Sequence, residues 1–440
     1  MNKKPKFRLA LGMVLSGVAF GIGAIALEQM SQEESLRVVT ASKLSGTVHV
    51  LPATLETTQW GWFNNAQPPV MRVNSGDTVV LETMMHSHNQ VIPGKTIEEI
   101  KKLRTDFPGR GPHTVTGPIY IDGAEPGDLL KVKINKIVPR AYATNFNVPG
   151  MFGEFPKEFQ DGQVKYFYLD WDRKVAEFAP GIEIPLRPFP GTIGVARAEP
   201  GQYSTVPPGP YAGNMDIRDF TEGAALYVPV FVPGALLWTG DSHAAQGNGE
   251  VNLTALETAY KEFNITVNVI KGKGKGMEYP RIETPTHWIT MGYDKDLNKA
   301  LTDAKAETVK FLAEQRKLSP DKAAEMMPKI SDCRISQVVN IKKGVHCLNP
   351  KNVNARQTTE HPAAETPQYL VTSAKDGDLN KAMDTASMAM INLLQEKKKL
   401  SRLDAYGLAS MTMDCRLGTI ADNEKSVHCL VPKSLWVAKK

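Results

Sequence analysis

The sequence predicts an α+β fold that is mainly β, with a β-sandwich or barrel-like body followed by a C-terminal α+β unit present in two copies. Three observations predict it. Short alternating apolar runs separated by Gly and Pro fill residues 43–280, a repeat with constant spacing follows, and each repeat contains helical apolar spacing. A chain of 440 residues that is 42% hydrophobic can bury the core that such a fold requires.

The body is predicted as residues 43–280 because its apolar runs are short and alternate, as in residues 78–82 and 129–134. Gly-Asp pairs precede these two runs, where glycine permits the left-handed conformation of a tight turn. Residues 94–111 and 144–164 are richer in charged and aromatic side chains. They are predicted to pass over the sheet, and one of them to cover a pocket.

The C-terminal region repeats itself with a constant offset of 82 residues, the separation of Glu283 from Glu365. No gap interrupts this register, so residues 281–353 and 363–435 are each predicted to fold as a strand, a long helix, a short helix and a strand pair. The second copy has Tyr369 where the first has His287. It therefore keeps the scaffold and loses a titratable group, as a packing duplicate would.

All four cysteines lie in the two copies, each pair separated by 14 positions, with polar turn-forming residues between them. Folding each segment as a hairpin sets Cys333 opposite Cys347 and Cys415 opposite Cys429, which predicts one disulfide per copy in an oxidising compartment. Four reduced, buried thiols are the alternative. A zinc site made by Cys347 with His346 is disfavoured because neighbouring strand residues point to opposite faces.

Residues 1–26 are predicted to be an export signal peptide cleaved near Ala26. The first eight residues carry four basic side chains and no acidic one, and residues 9–27 are uncharged. A retained N-terminal anchor is the alternative, since about 20 apolar residues span a bilayer. Both interpretations predict a periplasmic or secreted protein.

The charge of the chain gives no reason to expect a nucleic-acid partner. Removing the four N-terminal cations reduces the formal net charge from +5 to +1, and no basic stripe with interleaved aromatic residues is present. No membrane contact beyond the signal segment is predicted either.

Chemistry-bearing residues are densest in residues 240–250, GDSHAAQGNGE, which follow an apolar run. Asp241 and His243 are two positions apart, so in an extended backbone they face the same side, as two ligands of one metal would. Glu250 could act there as a general base if burial raised its pKa. The alternative is a glycine-rich hairpin whose polar side chains satisfy turn amides.

Three other short segments add candidate residues. His86 and His88 have an i, i+2 spacing suited to one metal, Asn214 and Asp216 lie in a turn beside Gly213, and His113 precedes a predicted strand. A lone histidine in such a loop is more often a hydrogen-bonded core residue than a ligand, so the grouping, rather than any single residue, favours a site.

These motifs together resemble the acetamidase/formamidase family. They are residues 116–128 (TGPIYIDGAEPGD), 213–216 (GNMD), 229–235 (PVFVPGA) and 240–250, in matching order and spacing, and the similarity covers residues 51–350. The second C-terminal copy resembles the family's own C-terminal unit repeated. The resemblance implies hydrolysis of short amides such as formamide or acetamide to a carboxylate and ammonia. It also implies a β-sandwich-type body, a homo-oligomer, and a divalent metal, with zinc preferred over calcium.

The mechanism expected from these residues is metal-assisted hydrolysis. His86, Asp241 and His243 are the predicted ligands of Zn²⁺, and Glu250 the predicted base. The other predicted catalytic residues are Asn214 and Gln246 as oxyanion donors and His113 as a positioning group or further ligand. Many family members have an aspartate near His86. The histidines here favour a periplasmic subgroup, and the preferred metal or substrate could shift with them.

Three alternatives compete with this mechanism. Ser242 beside His243 could be a nucleophile, but no Gly-x-Ser-x-Gly elbow surrounds it. A cysteine nucleophile is disfavoured because the cysteines are expected to pair. A non-enzymatic binding or scaffold protein with a structural calcium is the third, its oxygen ligands drawn from Asp216, Asp241, Asn248 and Glu250.

Overall fold

The computed structural model of the protein describes residues 46–352, 362–421 and 423–437. The predicted signal peptide and its cleavage near Ala26 lie outside the described residues. Within the described ranges, no helix is both long and apolar enough to cross a membrane.

Most of the strands lie in two large sheets, which confirms the predicted mainly β class. The first sheet has twelve strands and is antiparallel apart from the β1–β5 pair. In spatial order its strands are β1 (Val48–Leu51), β5 (Thr78–Leu81), β18 (Tyr260–Ile270), β7 (Leu129–Pro139), β15 (Ala225–Pro229), β19 (Arg281–Glu283), β20 (His287–Asp294), β22 (Lys343–Pro350), β21 (Asp332–Gln337), β24 (Asp414–Ile420), β25 (Lys425–Pro432) and β23 (Tyr369–Asp376).

The second sheet has eleven strands and carries most of the chemistry-bearing residues. Its main path is β11 (Ile182–Pro185), β10 (Val175–Ala179), β9 (Val164–Asp170), β8 (Tyr142–Phe146), β17 (Leu256–Thr258), β16 (Leu237–Ala245), β12 (Phe189–Val195) and β14 (Ala212–Asn214). Strand β6 (Thr114–Asp122) also pairs with β16, and holds β2 (Thr58–Trp60) and β4 (Met71–Asn74). A small third sheet pairs β3 (Trp62–Asn64) with β13 (Gln202–Ser204).

The body is a sandwich because both large sheets contribute to one apolar core. Fully buried side chains of the first sheet, among them Leu81 and Val132, share a cluster with Ile119, Ile193 and Leu237 of the second. The alternation seen in the sequence explains this packing, since every second side chain of a strand faces the same side.

The two C-terminal copies have the same order of elements, and this order is the predicted one. Copy 1 consists of β20, α2 (Leu297–Arg316), α3 (Pro320–Ile330), β21 and β22. Copy 2 consists of β23, α4 (Leu379–Lys398), α5 (Arg402–Thr412), β24 and β25. The body contributes the helix α1 (Ile97–Thr105) and a short, irregular helical turn (His86–Asn89), and a 3₁₀ turn (Lys433–Leu435) follows copy 2. The boundaries predicted for body and copies stay predictions.

The duplicated sequence repeats its helix signals as well as its strands. Asp296 and Asp378 cap the long helices by accepting from the backbone N–H two residues on, and both helices end at a left-handed lysine. The starts of the two long helices are also joined by hydrogen bonds from each helix to the other. The Asn298 side chain accepts from Leu379 N at 2.9 Å, and Asn380 accepts from Leu297 N at 3.2 Å. Copy 1 and copy 2 therefore meet in a pseudo-twofold arrangement, like an isologous dimer contact.

Both predicted disulfides are present, Cys333–Cys347 and Cys415–Cys429, each between directly paired strand residues. A cysteine in a disulfide is not a thiolate ligand, so the zinc alternative at Cys347 is wrong. The alternative of reduced thiols is wrong as well. Two disulfides are typical of proteins outside the cytoplasm.

Candidate active site

Three imidazoles and four carboxylates meet in one buried cluster inside the second sheet. All are at most 5% exposed, and they form three groups whose possible ligand atoms lie within 4.8 Å of one another. The seven residues are His86, His113, His243, Asp216, Asp241, Glu250 and Glu257. Loops far apart in the chain therefore converge on one point, as the sequence predicted for His86 and the residues after 240.

Asp241 lies at the centre of the cluster. Its Oδ1 is 3.0 Å from His86 Nε2 and 3.4 Å from His243 Nε2, and its Oδ2 is 3.6 Å from His113 Nε2. Strand β16 carries both Asp241 and His243, and both side chains reach the cluster, although the backbone of Asp241 is left-handed rather than extended. The three predicted metal ligands are thus brought together.

Glu257 completes the cluster and was missed by the sequence reasoning. Its Oε2 is 3.3 Å from His243 Nε2 and 3.4 Å from His86 Nε2. The residue lies in β17 between Leu256 and Thr258, and all three are buried. A single acid within an apolar strand is the signal that could have found it, because a buried carboxylate needs a partner.

The backbone is strained where three of the acids are attached. Asp216, Asp241 and Glu250 have φ near +50°, a left-handed conformation that non-glycine residues rarely adopt. Gly191 on the neighbouring β12 leaves room for them. A Cβ there would lie 2.5 Å from His243 Cε1 and 2.7 Å from Asp241 Oδ2. The packing of the cluster therefore requires glycine at this position.

Opposite charges dominate the electrostatics of the inner part of the cluster. Burial opposes a charge on His86, but Glu257 and Asp241 outweigh it and raise the His86 pKa to about 9. Burial likewise disfavours the charged form of Glu257, yet His243 and His86 lower its pKa to about 2. His113 behaves differently, because burial lowers its pKa to about 4. His113 is therefore neutral at physiological pH.

Glu250 and Asp216, the other two carboxyl groups of the cluster, hold protons more tightly than exposed carboxyl groups do. Burial raises the Glu250 pKa well above its usual range, and the nearby Asp216 adds to the effect. Burial also raises the Asp216 pKa to about 7. His243 and Asn340 oppose this rise in the Asp216 pKa, and Asn340 does so by donating from its Nδ2 to Asp216 Oδ2. Carboxyl groups whose pKa values are raised by burial are candidates for general acid–base chemistry.

A cavity of about 260 Å³ opens onto the cluster. His86, His113, Asp241, Glu250 and Glu257 form its polar end. Both predicted excursions over the sheet contribute to its wall, with Arg104 and Arg110 from the first and residues 146, 148 and 152 from the second. The remaining wall includes residues 339–341, from the turn between β21 and β22 of copy 1.

The two predicted oxyanion donors lie in different surroundings. Asn214 lines the cavity, and its Oδ1 accepts from Thr192 Oγ1 at 2.8 Å. Among the described residues no acceptor bonds to Asn214 Nδ2. Gln246 does not line the cavity, and its Nε2 donates to the backbone carbonyls of Asp216 at 3.3 Å and Ser336 at 3.4 Å.

His88 and Ser242 do not join the cluster. The i, i+2 prediction for His86 and His88 is wrong because the backbone is not extended there. Ser87 and His88 have φ of 54° and 53°, so this segment turns sharply and His88 packs near Trp60 instead. Ser242 shares a hydrogen bond of 2.7 Å with Thr83 and lies outside the cavity wall, which gives a serine nucleophile no access.

The donor set fits a divalent cation. His243 Nδ1 and Nε2 and Glu257 Oε2 are buried and have no hydrogen-bond partner among the described residues, and buried polar atoms are rarely left unpaired. Imidazole nitrogens mixed with carboxylate oxygens are typical of zinc sites, whereas calcium prefers oxygen ligands alone. The excess of carboxylates over imidazoles also favours a positive charge between them.

Comparison with known proteins shows the family of the chain. The profile of the acetamidase/formamidase family matches residues 55–202 and 197–436. The acetamidase of Mycolicibacterium smegmatis is 31% identical over 225 residues, which are 38% of this chain and 55% of that protein. A putative formamidase of Schizosaccharomyces pombe is 28% identical over 258 residues, 45% of this chain and 61% of that protein. The chain thus spans little more than half the length of these relatives.

Among solved structures, an acetamidase from Bacillus halodurans superposes with a TM-score of 0.62 and 28% identity. The superposition covers 97% of that chain and 68% of this one. The body fold is therefore shared, and about a third of the present chain has no counterpart in that structure.

Proposed function

Because this chain belongs to the acetamidase/formamidase family, we propose that it hydrolyses the C–N bond of small primary amides to a carboxylate and ammonia. The observation that carries the proposal is the buried cluster of histidines and carboxylates at the polar end of an otherwise largely apolar cavity. Such a cavity admits a small uncharged amide group and keeps bulk water away from the reacting atoms.

A divalent metal, with zinc preferred, would be held by His86, Asp241 and His243, and Glu257 is a fourth candidate ligand. The metal supplies Lewis acidity that polarises the amide carbonyl or a water molecule. Every one of these side chains is buried and fixed by neighbours of opposite charge. The site therefore needs little reorganisation when substrate enters.

Glu250 is assigned the proton transfers. It takes a proton from the attacking water and delivers one to the nitrogen as the C–N bond breaks, so that ammonia leaves. Its raised pKa, caused by burial and by Asp216, makes it a stronger base than an exposed carboxylate. The left-handed backbone at Glu250 fixes the direction of its side chain at the cost of local strain.

Asn214 is assigned as the donor to the oxyanion, because it lines the cavity and its amide N–H groups are available. The hydrogen bond from Thr192 orients that amide. Gln246 is assigned a positioning role, since its amide holds the backbone of Asp216 and Ser336. Neutral His113 is held by Thr205 at 3.0 Å and orients Asp241.

The setting of the reaction is part of the proposal. The disulfides support a periplasmic or secreted enzyme, and the fit of the family's chemistry to this cavity supports a small amide as its partner. Assembly into a homo-oligomer stays a prediction, which analytical ultracentrifugation of the purified protein can check.

The test is ammonia release from formamide, acetamide and butyramide, measured with zinc-loaded protein and after chelation. We expect activity with zinc that chelation abolishes and zinc restores. Glu250→Gln should keep the metal and lose at least about 100-fold in kcat. The control is Glu262→Gln, which alters a partly exposed surface ion pair with Lys136 and should leave kcat unchanged. Protein that binds only calcium and releases no ammonia would favour the scaffold alternative.

A further inference from the structure

Two guanidinium groups lie in the wall of the active-site cavity without an acidic partner. Arg104 and Arg110 both line it, and among the described residues no carboxylate lies within 4 Å of either. Arg110 stacks on Trp60 at 4.6 Å and lies 5.4 Å from Phe107, so aromatic faces already partner its charge. Arg104 has no such contact within the described chain.

Arg104 lies at the end of α1 and is tied down on one side only. Its Nη2 donates to Ser87 Oγ at 2.7 Å, whereas its Nη1 is buried and has no hydrogen-bond partner among the described residues. Burial lowers the Arg104 pKa to about 10, so the group is still charged at neutral pH. A buried charge without a partner is costly, and a bound ligand of opposite charge would relieve that cost.

The cavity that Arg104 shares with the cluster also has an apolar lining, formed by Phe146, Val148, Phe152, Val339 and Ile341. The volume of about 260 Å³ approaches the roughly 300 Å³ at which pockets begin to hold drug-sized ligands. An amide of one or two carbons would leave much of this space unfilled. The apolar wall suits a short hydrocarbon chain.

We propose, resting on the amidase function above, that the natural substrate is a primary amide whose acyl chain ends in a carboxylate, and that Arg104 binds this carboxylate. The planar guanidinium matches a carboxylate with two parallel hydrogen bonds. With its carboxylate held by Arg104, the substrate has its amide end free to reach Glu250 in the same cavity. Water adds to the acyl carbon, the C–N bond breaks, and the products are a dicarboxylate and ammonia.

The experiment compares succinamate with butyramide, which have the same chain length and differ in the terminal carboxylate. Wild-type enzyme should have at least about a tenfold higher kcat/KM for succinamate. Arg104→Gln, which keeps a donor for Ser87, should lower kcat/KM for succinamate by about 10- to 100-fold, mainly through KM, because a hydrogen-bonded charge is worth about 1.5–3 kcal/mol. Its activity on butyramide should stay within about twofold, and Arg104→Lys should recover part of the loss.

Arg173→Gln is the matched control, because Arg173 is exposed, pairs with Glu183 and lies outside the cavity wall. An equal loss on both substrates in Arg104→Gln would overturn the proposal by showing a structural role through Ser87. So would a wild-type preference for butyramide, or a succinamate defect confined to Arg110→Gln. If Arg104→Gln does not fold, Arg104→Lys and the wild-type preference still decide.

Failure of the amidase function can be distinguished from failure of the Arg104 carboxylate site. In that case neither amide releases ammonia, and calorimetric binding of succinate tests Arg104 alone. Succinate binding by wild type that weakens about 10-fold or more in Arg104→Gln would support the carboxylate site. Equal binding by the two proteins would overturn it.

Discussion

The two C-terminal copies share a sequence pattern, a disulfide and an order of elements, yet they meet the active site differently. The turn of copy 1 reaches the cavity, where Asn340 donates to Asp216 and Ile341 forms part of the wall. Copy 2 holds the site from outside the cavity. Its Ser410 O accepts from Gly247 N at 2.9 Å, and its Asp414 Oδ1 accepts from Asn248 Nδ2 at 2.6 Å.

This difference teaches that duplication preserved the scaffold while the surface of the body decided the role of each copy. Residues 246–252, which lead into and out of Glu250, lie between the copies, since Gly249 N donates to Ser336 O of copy 1 on one side. Copy 1, the copy that reaches the cavity, also has strained backbone there. Ile341 has φ of 64°, unusual for a β-branched residue.

The largest expected effect concerns the contact of copy 2 with the site loop. The buried Asp414 carboxylate accepts from Arg218 at 2.8 Å, Arg416 at 2.7 Å and Asn248. Asp414→Asn should lower the free energy of unfolding by about 3 kcal/mol, because it leaves two largely buried guanidinium groups uncompensated. Denaturant unfolding at pH 7 measures this. Copy 2 would be a dispensable attachment, contrary to the comparison, if the loss were below about 1 kcal/mol.

The control for Asp414 is Glu424→Gln in the same copy. Glu424 pairs with Lys375 at 3.3 Å, and both side chains are at least half exposed. Exposed pairs contribute little, so the change should stay within about 0.5 kcal/mol. The Asp414 effect has an acid limit too. Burial opposes its charge, but Arg218 and two further arginines lower its pKa. Its contribution to stability is therefore complete above about pH 3.8 and is lost progressively as the pH falls from there toward the lowered folded-state pKa.

The two disulfides should contribute equally to stability, in contrast to the unequal contacts of the two copies with the site. Each closes a segment of 14 positions, which predicts about 3 kcal/mol from restricting the unfolded chain. Removing either pair, by Cys333→Ala with Cys347→Ala or Cys415→Ala with Cys429→Ala, should cost the same within about 1 kcal/mol. Thermal unfolding of the two double variants under matched conditions tests this, and a large inequality would contradict the view of two equal scaffolds.

Local sequence patterns predicted the strands and helices better than they predicted which strands pair with each other. Alternation predicted the strands, and helical apolar spacing predicted the long helices, because these signals act within a few residues. Nothing local indicated that β1 runs parallel to β5, or that the strands of both copies extend the first sheet of the body. Such pairings depend on contacts far apart in sequence.

The site was predictable where glycine-rich loops carried unusual side chains, and hidden elsewhere. Asp241, His243 and Glu250 were proposed in this way, whereas His86 was proposed from its i, i+2 spacing with His88. Glu257 was missed because it sits in an apolar strand that looks like core. The roles assigned to the residues are proposals that the geometry supports.

Asn340 tests whether copy 1 takes part in the chemistry. Its Nδ2 donates to Asp216 Oδ2, and this hydrogen bond favours the charged form of Asp216 beside Glu250. Asn340→Ala should lower kcat/KM by about 30-fold, as expected when a buried hydrogen bond to a charged group worth about 2 kcal/mol is lost. Steady-state ammonia release measures it.

The control for Asn340 is Asn423→Ala, in the corresponding turn of copy 2. Asn423 is exposed and does not line the active-site cavity, so kcat/KM should change by less than about twofold. If both variants lost activity equally, the asymmetry between the copies would be broken.

The smallest expected effect concerns Glu154 of the body, which lies beside an acidic residue of copy 2. Glu154, in the segment beside the cavity, accepts from Ser387 Oγ at 3.0 Å, and burial followed by the charge of Asp384 raises its pKa well above 4.5. At the positions equivalent to 384 and 387, copy 1 has Thr302 and Lys305.

The folded protein therefore binds the Glu154 proton more tightly than the unfolded chain. The resulting stability is fully present below pH 4.5 and is lost as pH rises through the folded-state pKa. Glu154→Gln, which cannot ionise, should be about 1 kcal/mol more stable than wild type at pH 8 and no more stable at pH 4.5. Urea unfolding at both pH values measures the difference, with Glu158→Gln as the exposed control in the same segment. A gain of equal size at both pH values would mean that packing, rather than the proton held against copy 2, explains the change.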